Sequence, residues 1–318
     1  MEKKYSFNQS GPMLSQGLSP HRLPRPIEQD WTPTYANLDL SLDEMERIFW
    51  CHLNSEDRPS VTPGLLRDVT AMQTFLRQRL SDTPEAERPF DFLVVGSRTP
   101  GVFNLGGDLR LFAEAVRKQQ RLCLQTYAYS CVDIIYNNLS SYGHPVVTIA
   151  LVQGDALGGG FETALSCNVI VAERSAKFGL PEILFNLFPG MGAYSLIARR
   201  LGAIEAERMI LSGKIYTAEE LHQKGLVDIL AEDGYGEEAV REYVHQHQRR
   251  HNALQAVFKA RHQVSPITLE ELRHVTDTWV EAALRLTPSD LRKMERLASA
   301  QDRRCNLGPA PGMLIAAE

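Results

Sequence analysis

PVVTIALVQGDALGGGFETALSCNVIVAERSAKFGLPEILFNLFPGMGAY, running from Pro145 to Tyr194, is the stretch whose reading decides the fold. Residues 146–152 are dominated by aliphatic and β-branched side chains, the pattern of a strand covered on both faces. Gly154 ends that run, Gly158, Gly159 and Gly160 follow, and residues 161–166 read as a helix. Consecutive glycines between strand and helix let the main chain approach a ligand with no Cβ in the way. They also leave N–H groups facing it at a helix N-terminus. Such donors suit a developing oxyanion. Glu162 opens the helix, and Glu182 lies 20 residues on, after a second apolar run at 169–172. Both acids thus follow buried strands, where a carboxylate is desolvated and its pKa can move.

Each feature has a plainer explanation. Glycines after a strand also make ordinary tight turns, and a Glu in a first helical turn commonly offsets the helix dipole at the surface. A second donor loop upstream is the natural check, and residues 102–109, Val-Phe-Asn-Leu-Gly-Gly-Asp-Leu, supply one. They follow a strand pattern at 90–97 and precede a helical pattern, so again a strand ends in glycines that open a helix.

At this point the sequence resembles the crotonase, or enoyl-CoA hydratase/isomerase, superfamily. Within it, FNLGGDLRLF, ALVQGDALGGGFETALSC and GLPEILFNLFPGMGAYS look most like the diffusible-signal-factor synthases, which make cis-2-unsaturated fatty acids for signalling between bacteria. The resemblance covers roughly residues 35–304. It implies an α/β fold, a crotonase-like spiral of ββα units with a C-terminal helical region. It also implies an oxyanion hole from the Gly107 and Gly159 amides, with Glu162 and Glu182 as the catalytic acids. Leu157, Gly158, Met191, Trp279 and Leu286 would touch the acyl substrate. The implied reaction is dehydration of a 3-hydroxyacyl thioester to a cis-2-enoyl thioester, then hydrolysis to the free acid. Which glutamate holds the proton stays open, as does the choice between acyl carrier protein and coenzyme A as carrier. No further cofactor is implied. A homo-oligomer, a trimer by the resemblance, and a sensor kinase are the expected protein partners.

Composition agrees with an enzyme of this kind. The 318 residues are 43% hydrophobic and 23% charged, with a net charge of −5, so nothing marks a nucleic-acid surface. No apolar run is long enough to span a membrane. Five cysteines, odd in number and without a CxxC pair, indicate reduced thiols, a cytoplasmic location and no metal site. Cys167, among apolar neighbours, reads as an inert buried thiol rather than a nucleophile. GDALGGG lacks the spacing of a dinucleotide fingerprint, and without a GxSxG elbow His144 and Ser195 make no triad.

Four segments are expected: a loosely attached 1–30, rich in Ser, Pro, Gly and Gln; an α/β catalytic core, 31–235; C-terminal helices, 236–304, capping the pocket and meeting other subunits; and a mobile tail, 305–318. In the core, strands are expected at 34–40 and 47–53 around an acidic turn at 41–44, then a helix with Leu65, Val69, Met72, Leu76 and Leu80 on one face. Residues 109–139 read as helix with one break, and Thr217 to Glu220 as a capping box ended by Gly225. A strand is expected at 226–230, then helices at 236–260, 269–286 and 288–303. Arg110, Arg117 and Arg121 fall on one face; they form either a solvated stripe or a docking patch for an acidic carrier. The runner-up to the synthase is an enoyl-CoA hydratase or isomerase of fatty-acid degradation, which shares the site but stops at the thioester. A non-catalytic, sensor-binding protein on the same scaffold is the alternative from another class, and retention of both glutamates speaks against it.

Overall fold

The computed structural model describes residues 31–55 and 58–307, with side chains through Asp302. In chain order the first elements are β1 Leu38–Asp43, β2 Ile48–Leu53, α1 Pro63–Asp82, β3 Phe92–Ser97, β4 Val102–Asn104, α2 Leu109–Arg117 and α3 Arg121–Leu139. β5 Val147–Val152, β6 Asp155–Leu157, α4 Gly159–Ser166, β7 Val169–Glu173 and β8 Lys177–Gly179 follow. A 3-10 turn at Pro181–Phe185 leads to α5 Ala193–Leu201, α6 Ala203–Ser212, β9 Ile215–Thr217, α7 Ala218–Lys224 and β10 Ile229–Ala231. Four helices complete the chain: α8 Gly236–Gln248, α9 His251–Val264, α10 Leu269–Leu284 and α11 Pro288–Leu307.

Two strands and then helix recur, and the two strands of a repeat go to different sheets. The first enters a six-stranded sheet of order β1-β2-β3-β5-β7-β10, the second a four-stranded sheet of order β4-β6-β8-β9. In the opening turn Val61, bridged in parallel to Gly107, takes the place of a second strand. This is the expected spiral of ββα units, with helices following it. Only β1 runs antiparallel in the large sheet.

β2, β5 and β7 are buried at every residue, which is why their sequences are mostly apolar, the exceptions being His52, Thr148 and Glu173. Alternate side chains, among them Ile48, Trp50, Val94, Ile149 and Val171, make one face of the large sheet, and Val240 and Val244 of α8 cover it. α9 has no fully buried residue of its own and is held there through Leu254 and Phe258.

Several boundaries differ from expectation. β1 runs to Asp43, through the residues expected to turn, and the turn falls at Glu44–Arg47, where Arg47 has φ +58°. Asp43 fixes it by accepting the Glu46 N–H and pairing with Arg241. The helix expected over 236–260 is two, α8 and α9, and the strand expected at 226–230 is β10, a little later. The expected loose segment 1–30 lies outside the described residues. So does the expected mobile tail, except that 305–307 continue α11.

Candidate active site

The four-stranded sheet assembles the site. β4 pairs in parallel with β6, and β6 with β8, so the turns after these strands lie side by side. They carry Gly107, Gly159 and Glu182 respectively. The first two turns touch: an ideal Cβ on Gly106, where φ is +90°, would stand 2.8 Å from Leu157 O and 3.1 Å from Gly159 N. Only glycine fits there.

Peptide geometry aims the two amides. The Gly106 carbonyl accepts from Val61 N at 2.7 Å, and because C=O and N–H of a trans peptide point oppositely, Gly107 N–H turns away from Val61. The Gly158 carbonyl accepts from Glu162 N at 3.0 Å along α4, so Gly159 N–H points out of the helix N-terminus. Gly107 and Gly159 both line a cleft of about 430 Å3, its open mouth included, together with Glu162 and Glu182. Tyr127 braces the first turn from that cleft: its hydroxyl donates to Val61 O and accepts from Asp108 N at 3.2 Å. Burial pushes the Tyr127 phenol well up, so it keeps its proton.

The two carboxyls differ in their partners. Glu162 is 1% exposed, and its Oε1 accepts from Met191 N at 2.8 Å and Ala193 N at 2.9 Å. Desolvation raises its pKa, while those two N–H groups act in the opposite direction. Glu182 sits in the 3-10 turn with Oε2 buried and without a hydrogen-bond partner. Burial raises its pKa, and the Glu162 charge adds to that. Both carboxyls are thus pushed upward, and Glu182 lacks the pair of N–H donors from Met191 and Ala193 that opposes the shift at Glu162.

Met191 and Trp279 also line the cleft, and the Trp279 ring meets Phe112 edge-on with centroids 5.1 Å apart. α10 delivers Trp279 onto Gly190, whose carbonyl accepts from Thr276 Oγ1 at 2.9 Å. Other sites expected to touch the acyl chain fall elsewhere. Leu157 packs with Val102 and Leu105 in a separate apolar cluster, because strand alternation turns it off the cleft. Leu286, past the end of α10, is buried but does not line the cleft. Gly158 lies outside the lining; the space a Cβ would fill there is held by Glu182 Oε1, at 2.4 Å from that position. Phe112, Tyr127 and Leu187 line the cleft without having been singled out, since nothing local in the sequence marks them.

The three arginines are exposed and paired. Arg110 bonds Asp302, Arg117 reaches Glu295 at 2.6 Å and Arg121 reaches Glu281 at 2.5 Å, all on α10 or α11. Their charge is thus offset on the surface rather than standing alone. Cys167 is buried, and burial raises its thiol to about 12, as suits an inert residue. His144 meets Ser81 at 3.2 Å, not Ser195. Among the described residues no His, Cys, Asp and Glu side chains gather as metal ligands, and no helix is long and apolar enough to cross a membrane.

A family model described as Enoyl-CoA hydratase/isomerase matches residues 76–285. The chain is 35% identical over 171 residues to 2,3-dehydroadipyl-CoA hydratase of Escherichia coli (strain K12), covering 54% of this chain and 60% of that protein. It is 31% identical over 196 residues to the mitochondrial methylglutaconyl-CoA hydratase of Mus musculus, covering 60% of each. These matches thus span about 60% of the relatives' length. Among solved structures, an enoyl-CoA hydratase from Bacillus halodurans superposes with a TM-score of 0.67 at 20% identity, covering 82% of this chain and 100% of that one. Pseudomonas aeruginosa DspI gives 0.57 at 23% identity, covering 74% and 85%. At such identities the structural likeness concerns the fold alone.

Proposed function

The chain belongs to the enoyl-CoA hydratase/isomerase family, and we propose that its cleft interconverts 2-enoyl and 3-hydroxyacyl thioesters by adding or removing water. The carrying observation is that two outward-turned amides, Gly107 and Gly159, and two buried carboxyls, Glu162 and Glu182, line one cleft. The thioester carbonyl oxygen binds between the two N–H groups, which stabilise the enolate as charge grows; losing one such donor costs about 3 kcal/mol. In the hydration direction Glu162, ionised and held by two N–H groups, takes a proton from water as its oxygen adds to Cβ. Glu182 gives its proton to Cα. Dehydration is the reverse, starting with the shared proton on Glu162, which leaves with the β-hydroxyl as water.

The finer reading is a synthase of a cis-2-unsaturated fatty-acid signal. The enzyme dehydrates a 3-hydroxyacyl thioester of acyl carrier protein, and water then attacks the carbonyl in the same oxyanion hole, releasing free acid and carrier thiol. The three motifs around Gly107, Gly159 and Glu182 support it, and an oligomer and a sensor kinase belong to this reading as partners. The names of the relatives favour a coenzyme A hydratase that stops at the thioester. Purified full-length chain incubated with 3-hydroxydodecanoyl thioesters of both carriers separates the two. Free cis-2-enoic acid from the carrier protein supports the synthase. Only a reversible trans-2-enoyl exchange on coenzyme A supports the hydratase, and no turnover of either refutes both.

A further inference from the structure

One face of α10 seats the short segment that serves Glu162. Leu272, Thr276 and Trp279 stand four and three residues apart, so they share that face, and all three meet residues 190–192. A Cβ on Gly192, where φ is +116°, would lie 3.0 Å from Leu272 Cδ2, and one on Gly190 would lie 2.6 Å from Trp279 Cδ1. Between these apolar contacts stands one hydroxyl. Thr276 is 0% exposed, and its Oγ1 lies 2.9 Å from Gly190 O and 2.9 Å from Leu272 O. A hydroxyl this deep needs an acceptor. Leu272 O, four residues back in the same helix, already accepts the Thr276 N–H, whereas Gly190 O belongs to no helix or strand and has no ladder N–H to accept. The hydroxyl proton is thus left for Gly190 O.

That carbonyl and the Met191 N–H are the two ends of one peptide. C=O and N–H of a trans peptide point in opposite directions, so Thr276 holds the plane from one side while Glu162 Oε1, 2.8 Å from Met191 N, holds it from the other. Hydrogen bonds in series also strengthen one another. Without the hydroxyl the peptide is free to turn, and the Met191 N–H leaves its line to Glu162, which keeps only the Ala193 N–H at 2.9 Å. We propose that Thr276 is a positioning residue for the reaction, its hydroxyl fixing the Gly190–Met191 peptide so that α10, outside the α/β core, keeps Glu162 supplied with one of its two donors. This role rests on the hydratase reading above.

Losing a donor for the negative charge raises the pH at which Glu162 ionises. The other titratable groups around it are Glu182 from the 3-10 turn and Cys131 and Tyr127 from α3, the latter two pushed up by burial and so neutral. β4 and β5 bring none, and β6 only Asp155, at the end away from α4. α5 directs its polar groups elsewhere: Tyr194 to Glu207, Arg199 to Glu271, and Arg200 to the carbonyls of Leu165 and Cys167.

The test compares Thr276→Val, which keeps the shape and removes the hydroxyl, with Thr276→Ser, which keeps the hydroxyl and removes a methyl. Hydration of a 2-enoyl-CoA is followed across the pH range. Thr276→Val should lower kcat about tenfold with KM within about twofold, and move the acidic limb of kcat/KM up by about one pH unit. Thr276→Ser should stay within about threefold of wild type, with the limb in place. Packing alone predicts the reverse order, Val near wild type and Ser impaired, and that result overturns the proposal. Thr276→Ala carries the test where Thr276→Val does not fold. The ionisation of Glu162 is also followed without substrate, through the infrared carboxyl band that Glu162→Gln removes. A band that titrates alike in wild type and Thr276→Val overturns the proposal while the hydratase reading survives. A band that moves as expected, in an enzyme that turns over no enoyl-CoA, keeps the tie from Thr276 to Glu162 and overturns the hydratase reading.

Discussion

Replacing Gly160 by alanine tests whether contact between the two glycine turns sets the oxyanion hole. An ideal Cβ on Gly160 falls 2.1 Å from Asn104 O, 2.8 Å from its carbonyl carbon and 3.0 Å from its Cβ. Two of these three atoms are main chain, so no side-chain rotation relieves the clash. Restoring ordinary contact requires α4 and the Asn104 strand to part by about 1 Å. The turns just beyond are themselves in contact, since an ideal Cβ on Gly159 stands 3.5 Å from Gly106 Cα, and the displacement passes to both amides. A donor moved by about 1 Å leaves hydrogen-bond range of the oxyanion, and one lost donor lowers kcat by about a hundredfold or more. Hydration of an enoyl-CoA, followed by loss of the conjugated thioester absorbance, should show that fall with KM changed much less. Gly143→Ala is the control. Gly143 has positive φ, +75°, but its Cβ meets nothing within 4 Å, so only about 1 kcal/mol of stability should be lost, with activity intact. A folded Gly160→Ala enzyme with more than about a third of the wild-type kcat would refute the reasoning.

Glu162→Gln and Glu182→Gln should each lower hydration at least about a hundredfold, and near-normal turnover in either removes that carboxyl from the mechanism. Glu182 also predicts a pH effect on stability. Its folded pKa is raised by burial and by Glu162, so its contribution is complete below the ordinary Glu value, about 4.3, and is lost as pH rises through the raised value. The melting temperature of Glu182→Gln relative to wild type should therefore be higher at about pH 8.5 than at about pH 5; a pH-independent difference contradicts it. Trp279→Ala removes a ring packed on Gly190 and Phe112, and should cost about 3 kcal/mol of stability while raising KM for acyl thioesters more than it lowers kcat. Arg110→Glu with Arg117→Glu breaks two surface pairs, each worth under about 1 kcal/mol, so stability should hardly change. If the patch docks an acidic carrier, KM should rise for carrier-protein substrates alone, and an equal effect on coenzyme A thioesters argues against docking.

The large sheet and the helices around it were legible because their signals are local and long. Residues 146–152 and 169–172 are dominated by aliphatic and β-branched side chains, α1 shows a helical period, and α7 carries its capping box and closing glycine. The small sheet was not legible. β4, β6, β8 and β9 are three residues each, too short for any periodicity, and they exist through hydrogen bonds to neighbours far along the chain. The arginine stripe shows the same limit: its three partners sit on helices more than 150 residues away.

The amino-acid order by itself thus determined which residues could do chemistry: glycines where three strands end, and a Glu shortly after two of them. Tertiary structure alone decided that these turns stand side by side and that Met191 and Ala193 lend their N–H groups to Glu162 while Glu182 Oε2 is left without a partner. It also kept Trp279 at the cleft and turned Leu157 away from it. The physical reason is that turn chemistry and strand burial are written in a few adjacent residues, whereas desolvation and hydrogen-bond partners depend on whatever main chain the fold brings within about 3 Å.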